Sequence, residues 1–328
     1  MKDFIEKLPK AELHLHIEGT FEPELMFEIA ARNNIKLPYK SIEELKQAYD
    51  FNNLQEFLDL YYEACNVLLH EQDFYDLTYA YLQKAHQNNI VHAEIMFDPQ
   101  THTERGVDFA TVITGIHKAL EAGLQDFGIS SKLILSILRH LDEKAALEIL
   151  EIARPYHDWI DAIGLDSSEL GNPPSKFQNF FRQAKAAGFF VTVHAGEEGP
   201  SDYIWEALNL LQVDRIDHGN RSLDDEKLVQ KLSEEQIALT VCPLSNLKLK
   251  VVKDLRQHPL KQMLEKGLFV NINSDDPAYF GGYLNENFIQ IQKSLDLNRS
   301  ILEKLAKNSI EASMLSTEEK KQLLAKFQ

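Results

Sequence analysis

Eight short runs rich in β-branched and aromatic residues recur along the chain, and longer stretches with helical periodicity part them. The runs are 11–17 (AELHLHI), 90–97 (IVHAEIMF), 132–138 (KLILSIL), 161–166 (DAIGLD), 189–194 (FFVTVH), 214–218 (DRIDH), 238–242 (ALTVC) and 268–274 (LFVNINS). Strands that alternate with helices pair in parallel, because each crossover helix returns the chain to start the next strand in the same direction. Eight such units in 328 residues predict an α/β fold of the (β/α)8 barrel type rather than an open doubly wound sheet. No G-x-G-x-x-G follows the first run and no G-x-x-x-x-G-K-[ST] occurs anywhere, so the dinucleotide and nucleoside-triphosphate folds lose their support. The whole chain, 1–328, reads as a single barrel domain. The gap over 18–89 is too long for one crossover and predicts a helical insertion over one end of the barrel. Further helices at about 285–328 follow the last strand.

Local signals agree with this division. Asn53 precedes an apolar stripe at Leu54, Phe57, Leu58, Tyr61, Tyr62, Cys65, Leu68 and Leu69, and Glu56 completes a capping box with it. Ser175, Ser201 and Asp224 read as N-caps, and Gly188 and Gly267 as helix stops just before strands. The formal net charge is −17, which repels phosphate backbones and anionic lipid and so argues against nucleic acid and membranes as partners. Only Cys65 and Cys242 are present, with no apolar leader and no apolar stretch of membrane-spanning length. The cytoplasm is the expected compartment.

Chemistry concentrates where the runs end. A strand alternates faces with period two, so His14 and His16 point one way while Leu13, Leu15 and Ile17 point the other. Two imidazoles on a buried face need either hydrogen-bond partners or a metal. The fifth run ends in His194-Ala195-Gly196-Glu197, the sixth in Asp217-His218-Gly219 and the eighth in Ser274-Asp275-Asp276-Pro277. In (β/α)8 enzymes several strands contribute chemistry at their C-terminal ends. His14, His16, His194 and Asp275 then form an N3O donor set that suits one zinc ion with water completing the site, although iron, cobalt or manganese also fit it. Glu197, three residues past a ligand, is placed to shuttle protons. His218 is placed to take a proton from the attacking water or hold it. Asp276 faces the same mouth and either hydrogen-bonds substrate or caps the helix that starts at Pro277.

These motifs, H-x-H-x-[ED]-G, H-A-G-E, D-H-G and S-D-D-P in that order, resemble the adenosine/adenine deaminase family of metal-dependent amidohydrolases, from about Pro9 to about Gly282. The resemblance implies one zinc per subunit held by His14, His16, His194 and Asp275, and hydrolytic release of ammonia from C6 of a 6-aminopurine. It further implies that Glu197 protonates ring N1, that His218 serves the attacking water and that Asp276 meets N7. The backbone N–H of Ser167 would meet N3, at a position where the family usually has glycine. In adenosine deaminases an aspartate stands where this chain has Glu18 and reaches the ribose 5′-hydroxyl. The extra methylene of Glu18 pushes a carboxylate into the sugar's space. FDPQTHTERG (97–106) and GLDSSELGNPPSKF (164–177) resemble the adenine deaminase branch. The expected substrate is therefore the small purine base adenine, converted to hypoxanthine in purine salvage or catabolism. Adenosine or N6-substituted adenines such as isopentenyladenine are the alternatives. A barrel that binds purines without turnover is a remoter one, as is another amidohydrolase reaction. A homo-oligomer is left open. His102, Glu104 and Arg105 either line the pocket or brace its loop, His92 reads as a satisfied core histidine, and Cys242 and Ser245 as structural.

Overall fold

In the computed structural model, which describes residues 1–327, eight parallel strands follow one another around a barrel. They are β1 (Lys10–His16), β2 (Ile90–Phe97), β3 (Ser130–Leu138), β4 (Ala162–Asp166), β5 (Phe190–Ala195), β6 (Arg215–His218), β7 (Ala238–Val241) and β8 (Phe269–Ile272). Each predicted run is a strand, with ends displaced by no more than two residues. The barrel closes between β1 and the segment after β8: the His16 N–H donates to the Asp275 carbonyl (3.1 Å) and the Asp275 N–H to the His14 carbonyl (3.2 Å). Three of the four expected metal ligands therefore sit on the closing seam.

The simple alternation expected along β1 fails at one point. The ladder to β2 shifts register between Glu12 and Leu15, a bulge that inserts a residue and resets which face the next side chains take. Leu13 consequently packs with Ala11 and Ile310, apart from Leu15 and Ile17, which join the main core. His14 lies within the break and His16 beyond it, yet both rings reach His194 Nε2.

The floor of the barrel is polar and fully paired. Arg215 on β6 donates from Nη1 to Glu94 on β2 and from Nη2 to the Leu13 carbonyl (3.0 Å). The other Glu94 oxygen faces His92 Nε2 (3.3 Å) and accepts the Met314 N–H. His92 Nδ1 pairs with Ser130 Oγ (2.8 Å), so it is the satisfied core histidine expected of it. The helix Arg299–Glu311 covers this end, tied by Asn308 Nδ2 to the Val270 carbonyl (2.7 Å) and by Ser309 Oγ to the Ala11 N–H (2.9 Å).

The 18–89 segment is helical, but its last helix, Glu71–Gln87, packs on β2 and on the helix Phe109–Phe127 as an ordinary barrel helix. The stretch before it lies over the mouth. Within it, Asn53 caps Leu54–Ala64 by accepting the Glu56 N–H (2.9 Å), and Leu54, Phe57, Leu58 and Tyr61 are buried. The Glu56 carboxylate accepts the Asn52 N–H (2.9 Å), one residue earlier than a capping box requires. The predicted stripe runs past the helix, which ends at Ala64. Other caps move by a residue or more. Pro174 opens a 3-10 turn before Gln178–Ala186, Ser201 is the first helical residue after Pro200, and Asp225 rather than Asp224 caps Glu226–Glu235. Gly188 and Gly267 stop their helices at positive φ, as expected.

Candidate metal centre and active-site pocket

The ends of β1 and β5 and the turn after β8 bring His14, His16, His194 and Asp275 onto one point. His194 Nε2 lies 3.0 Å from His14 Nε2 and 3.2 Å from His16 Nε2. Asp275 Oδ1 lies 3.2 Å and 3.5 Å from the same two nitrogens of β1. Ligands about 2.0–2.1 Å from a tetrahedral zinc stand about 3.3 Å apart, so these separations match the edges of a zinc polyhedron. His218 stands beside this group, its Nε2 3.9 Å from Asp275 Oδ2, and could also reach an ion there.

Neighbouring groups fix how these ligands face. Thr240 on β7 donates its hydroxyl to Asp217 Oδ1 (2.9 Å), so it accepts from His14 Nδ1 (2.9 Å). That sets the His14 tautomer and turns the Nε2 lone pair to the cluster. Asp166 Oδ2 lies 3.5 Å from His16 Nδ1, and Asp217 Oδ2 lies 3.6 Å from His194 Nδ1. Arg139 Nη1 holds the His194 carbonyl (2.7 Å). Burial holds His16 down to about 4 and His194 well below its ordinary value, with the crowd of imidazoles adding to both. Neutral imidazoles are what a metal binds. Ser167, His218 and Asp275 all take left-handed backbone, with φ of 73°, 64° and 65°. Such conformations cost non-glycine residues about 1–3 kcal/mol each and cluster at functional sites. Gly19 is needed for another reason: a Cβ there would lie 1.9 Å from Asp276 Oδ1 and 2.7 Å from its Cα.

Glu197 is buried, and burial together with the nearby Asp275 raises its pKa well above the usual carboxylate range. That direction favours the protonated form, the one suited to donate. Its Oε2 lies 3.6 Å from His218 Nε2. Glu169, which sequence reasoning did not single out, holds this loop. Its carboxylate accepts the N–H groups of Gly196 (2.7 Å), Glu197 (3.1 Å), Glu198 (2.9 Å) and Gly199 (2.7 Å). Asp276 occupies the N-cap position before Pro277 without capping the helix, and its Oδ1 has no partner among the described residues. Burial and Asp275 push its pKa up as well.

His16, His194, Asp275, Glu197, His218, Asp276 and Ser167 all border one cavity. The remaining wall comes from Leu54, Phe57, Leu58, Tyr61 and Tyr62 of the helix Leu54–Ala64, with Leu249, Asp98 and Asp166. Glu18 is not on this surface. Its oxygens are taken by His102 Nε2 (2.8 Å), the Asp98 N–H (3.2 Å) and Tyr61 OH (3.4 Å). Arg105 in turn donates to His102 Nδ1 (2.9 Å), so His102 and Arg105 brace the loop behind the pocket. His140, given no role from sequence, joins Tyr62 in hydrogen-bonding Ser167 Oγ (2.9 and 2.7 Å). Asp98 and Asp166 were also missed, yet both stand at strand ends, the signal that marked the other strands.

A parallel barrel with a buried N3O donor set and two buried carboxyls of raised pKa at its C-terminal mouth defines a hydrolase of the metal-dependent barrel class. The chain belongs to the adenosine deaminase family, which it matches over residues 9–328. It is similar to an adenine deaminase of Hahella chejuensis, 59% identical over 327 residues that cover 100% of this chain and 98% of the relative. Among solved structures it resembles the adenine deaminase of Arthrobacter aurescens at a TM-score of 0.96 and 52% identity, covering 97% of this chain and 98% of that one. It also resembles an amidohydrolase of Burkholderia ambifaria with bound Zn, at a TM-score of 0.90 and 28% identity, covering 99% and 90%. Among the described residues no helix is long and apolar enough to cross a membrane.

Proposed function

We propose that the protein deaminates adenine hydrolytically, giving hypoxanthine and ammonia, with one zinc per subunit. The carrying observation is the cavity itself, which joins the His14–His16–His194–Asp275 group to Glu197, His218 and Asp276. Zinc held by those four ligands supplies Lewis acidity and makes water a competent nucleophile near neutral pH. Glu197 holds a proton that passes to ring N1 as the C6–O bond forms, which keeps negative charge off the ring. His218, 3.6 Å from Glu197, takes the proton of the attacking water. Asp276 Oδ1, free of protein partners, meets N7, and the Ser167 N–H meets N3. These contacts hold the purine plane, so a bimolecular encounter becomes a positioned one. The amino group takes the proton held by His218 and leaves C6 as ammonia, while the C6 hydroxyl returns a proton to Glu197 and becomes the hypoxanthine carbonyl.

Adenine is favoured over adenosine because relatives similar over the whole chain bear that activity in their names and because part of the cavity wall is closed by Asp98, Tyr61 and the Glu18 network behind them. The reading places the protein in purine salvage or catabolism in the cytoplasm, acting on a small base. The test is ammonia release and the purine absorbance change when zinc-loaded protein meets adenine, adenosine and N6-isopentenyladenine separately. Adenine alone should turn over rapidly. Preference for adenosine or for the N6-substituted base would overturn the substrate assignment, and turnover of none would overturn the activity.

A further inference from the structure

The proposed reaction leaves one buried carboxyl of the cavity without a task. Glu197, Asp276 and the Ser167 N–H answer N1, N7 and N3, while Asp275 belongs to the ligand set. Asp166 stands 3.5 Å from His16 Nδ1, beside the ligand set. Asp98 remains. It is 3% exposed and lines the cavity just past the end of β2. Its Oδ2 accepts from Tyr61 OH (3.2 Å), and its N–H is held by Glu18 Oε1 (3.2 Å). Glu18 is itself fixed by His102 (2.8 Å), and His102 by Arg105 (2.9 Å). Four residues thus set where Asp98 stands, and none of them reaches Oδ1; the other group beside Asp98 is the Asp166 carboxyl, which in its charged form only accepts.

A buried carboxyl oxygen without a donor is costly, and the cost is removed when a ligand brings the donor. A free 6-aminopurine has two donor groups. The 6-amino group sits at C6, the carbon under attack beside the ligand cluster. The other is the imidazole-ring N–H, at the far end of the base. We infer that Asp98 Oδ1 accepts the N9–H of the free base, which makes Asp98 the residue that separates base from nucleoside; this rests on the proposed deamination. In a nucleoside N9 bears carbon, so the donor is lost and the substituent meets the Asp98 carboxyl and Tyr61. Glu18 then acts one step behind the pocket surface: it holds Asp98 in place rather than filling the sugar's space itself.

The experiment compares adenine with 9-methyladenine, in which a methyl group replaces the N9 hydrogen. Ammonia release gives kcat/KM for both with zinc-loaded wild type, Asp98→Ala and Asp98→Ser, and calorimetry gives Kd for hypoxanthine and 9-methylhypoxanthine. Wild type should prefer the N9–H partner by on the order of 10²-fold in both measurements, as expected when a buried acceptor is left without its donor. Asp98→Ala should lower kcat/KM for adenine by about that factor and leave 9-methyladenine unchanged or improved, since removing the acceptor costs only the purine that has the donor. Wild type that treats the two purines within about ten-fold overturns the inference, whether or not any variant folds. So do variants in which both substrates fall together with the preference intact, the mark of a purely structural Asp98. If wild type consumes both purines alike, the deamination stands and only this assignment falls. If it releases no ammonia from adenine, both fall.

Discussion

At the floor of the barrel, Arg215 and Glu94 are completely buried, and every polar atom of the pair has a protein partner. At the mouth of the same barrel, the atoms without partners include Asp98 Oδ1, both oxygens of Asp166, His194 Nδ1, His218 Nδ1 and Asp276 Oδ1. Both ends bury charge, and only one finishes the pairing. The floor uses ionic groups as structure. Burial alone would raise Glu94, but the Arg215 guanidinium overcomes it and holds the carboxyl down to about 2. At the mouth the buried Arg139 pulls Glu197 down without prevailing, and burial and neighbouring carboxyls push Asp166, Glu197 and Asp276 upward instead. Incomplete pairing at one end of an otherwise well-satisfied interior is how a fold marks the place where a ligand completes it.

Substitutions at the two ends should fail differently. Glu197→Gln removes the proton carried at the mouth and should cost about 10²–10⁴-fold in kcat, with zinc content and melting temperature unchanged. Near-wild-type turnover would show that the mouth and floor carboxyls differ less than argued. Glu94→Gln strands Arg215 without its counter-charge and should cost on the order of 3–5 kcal/mol of stability in denaturant unfolding, while zinc stoichiometry stays at one. A variant as stable as wild type would mean the floor pair is not the structural element described. A smaller effect follows from pH. The Glu94 carboxyl titrates near 4.5 when unfolded and about 2 when folded, so its stabilisation is complete above pH 4.5 and is lost as pH falls toward 2. That window should account for about 3 kcal/mol of wild-type acid sensitivity, absent from Glu94→Gln. Parallel acid-unfolding curves for the two proteins would remove the contribution.

How much of this was legible in the chain depends on what kind of signal each residue carries. The strands were, because β-branched runs between helical patterns have little other use. The convergence of His14, His16, His194 and Asp275 was, because they stand at the strand ends where barrels place chemistry. Asp98 and Asp166 carried the same signal without being singled out. Tyr61 and Tyr62 could not have been, since a helix that buries one face against a cavity has the same apolar spacing as one that buries it against a core. Glu169 was equally silent, because all four of its partners are backbone N–H groups that no side-chain pattern reports. The break in β1 has no glycine or proline to announce it.

The helix Leu54–Ala64 has a kinetic consequence. With five of its side chains as the wall, the cavity is about 30 Å³, room for a water or two and not for a purine ring system. Entry of a purine therefore requires this wall to give way. Asn53 at its start, and the Gln55–Ser168 and Tyr62–Ser167 hydrogen bonds along it, are the contacts that hold the helix over the mouth. Helix displacements run on the microsecond-to-millisecond scale, the same range as many enzyme turnovers.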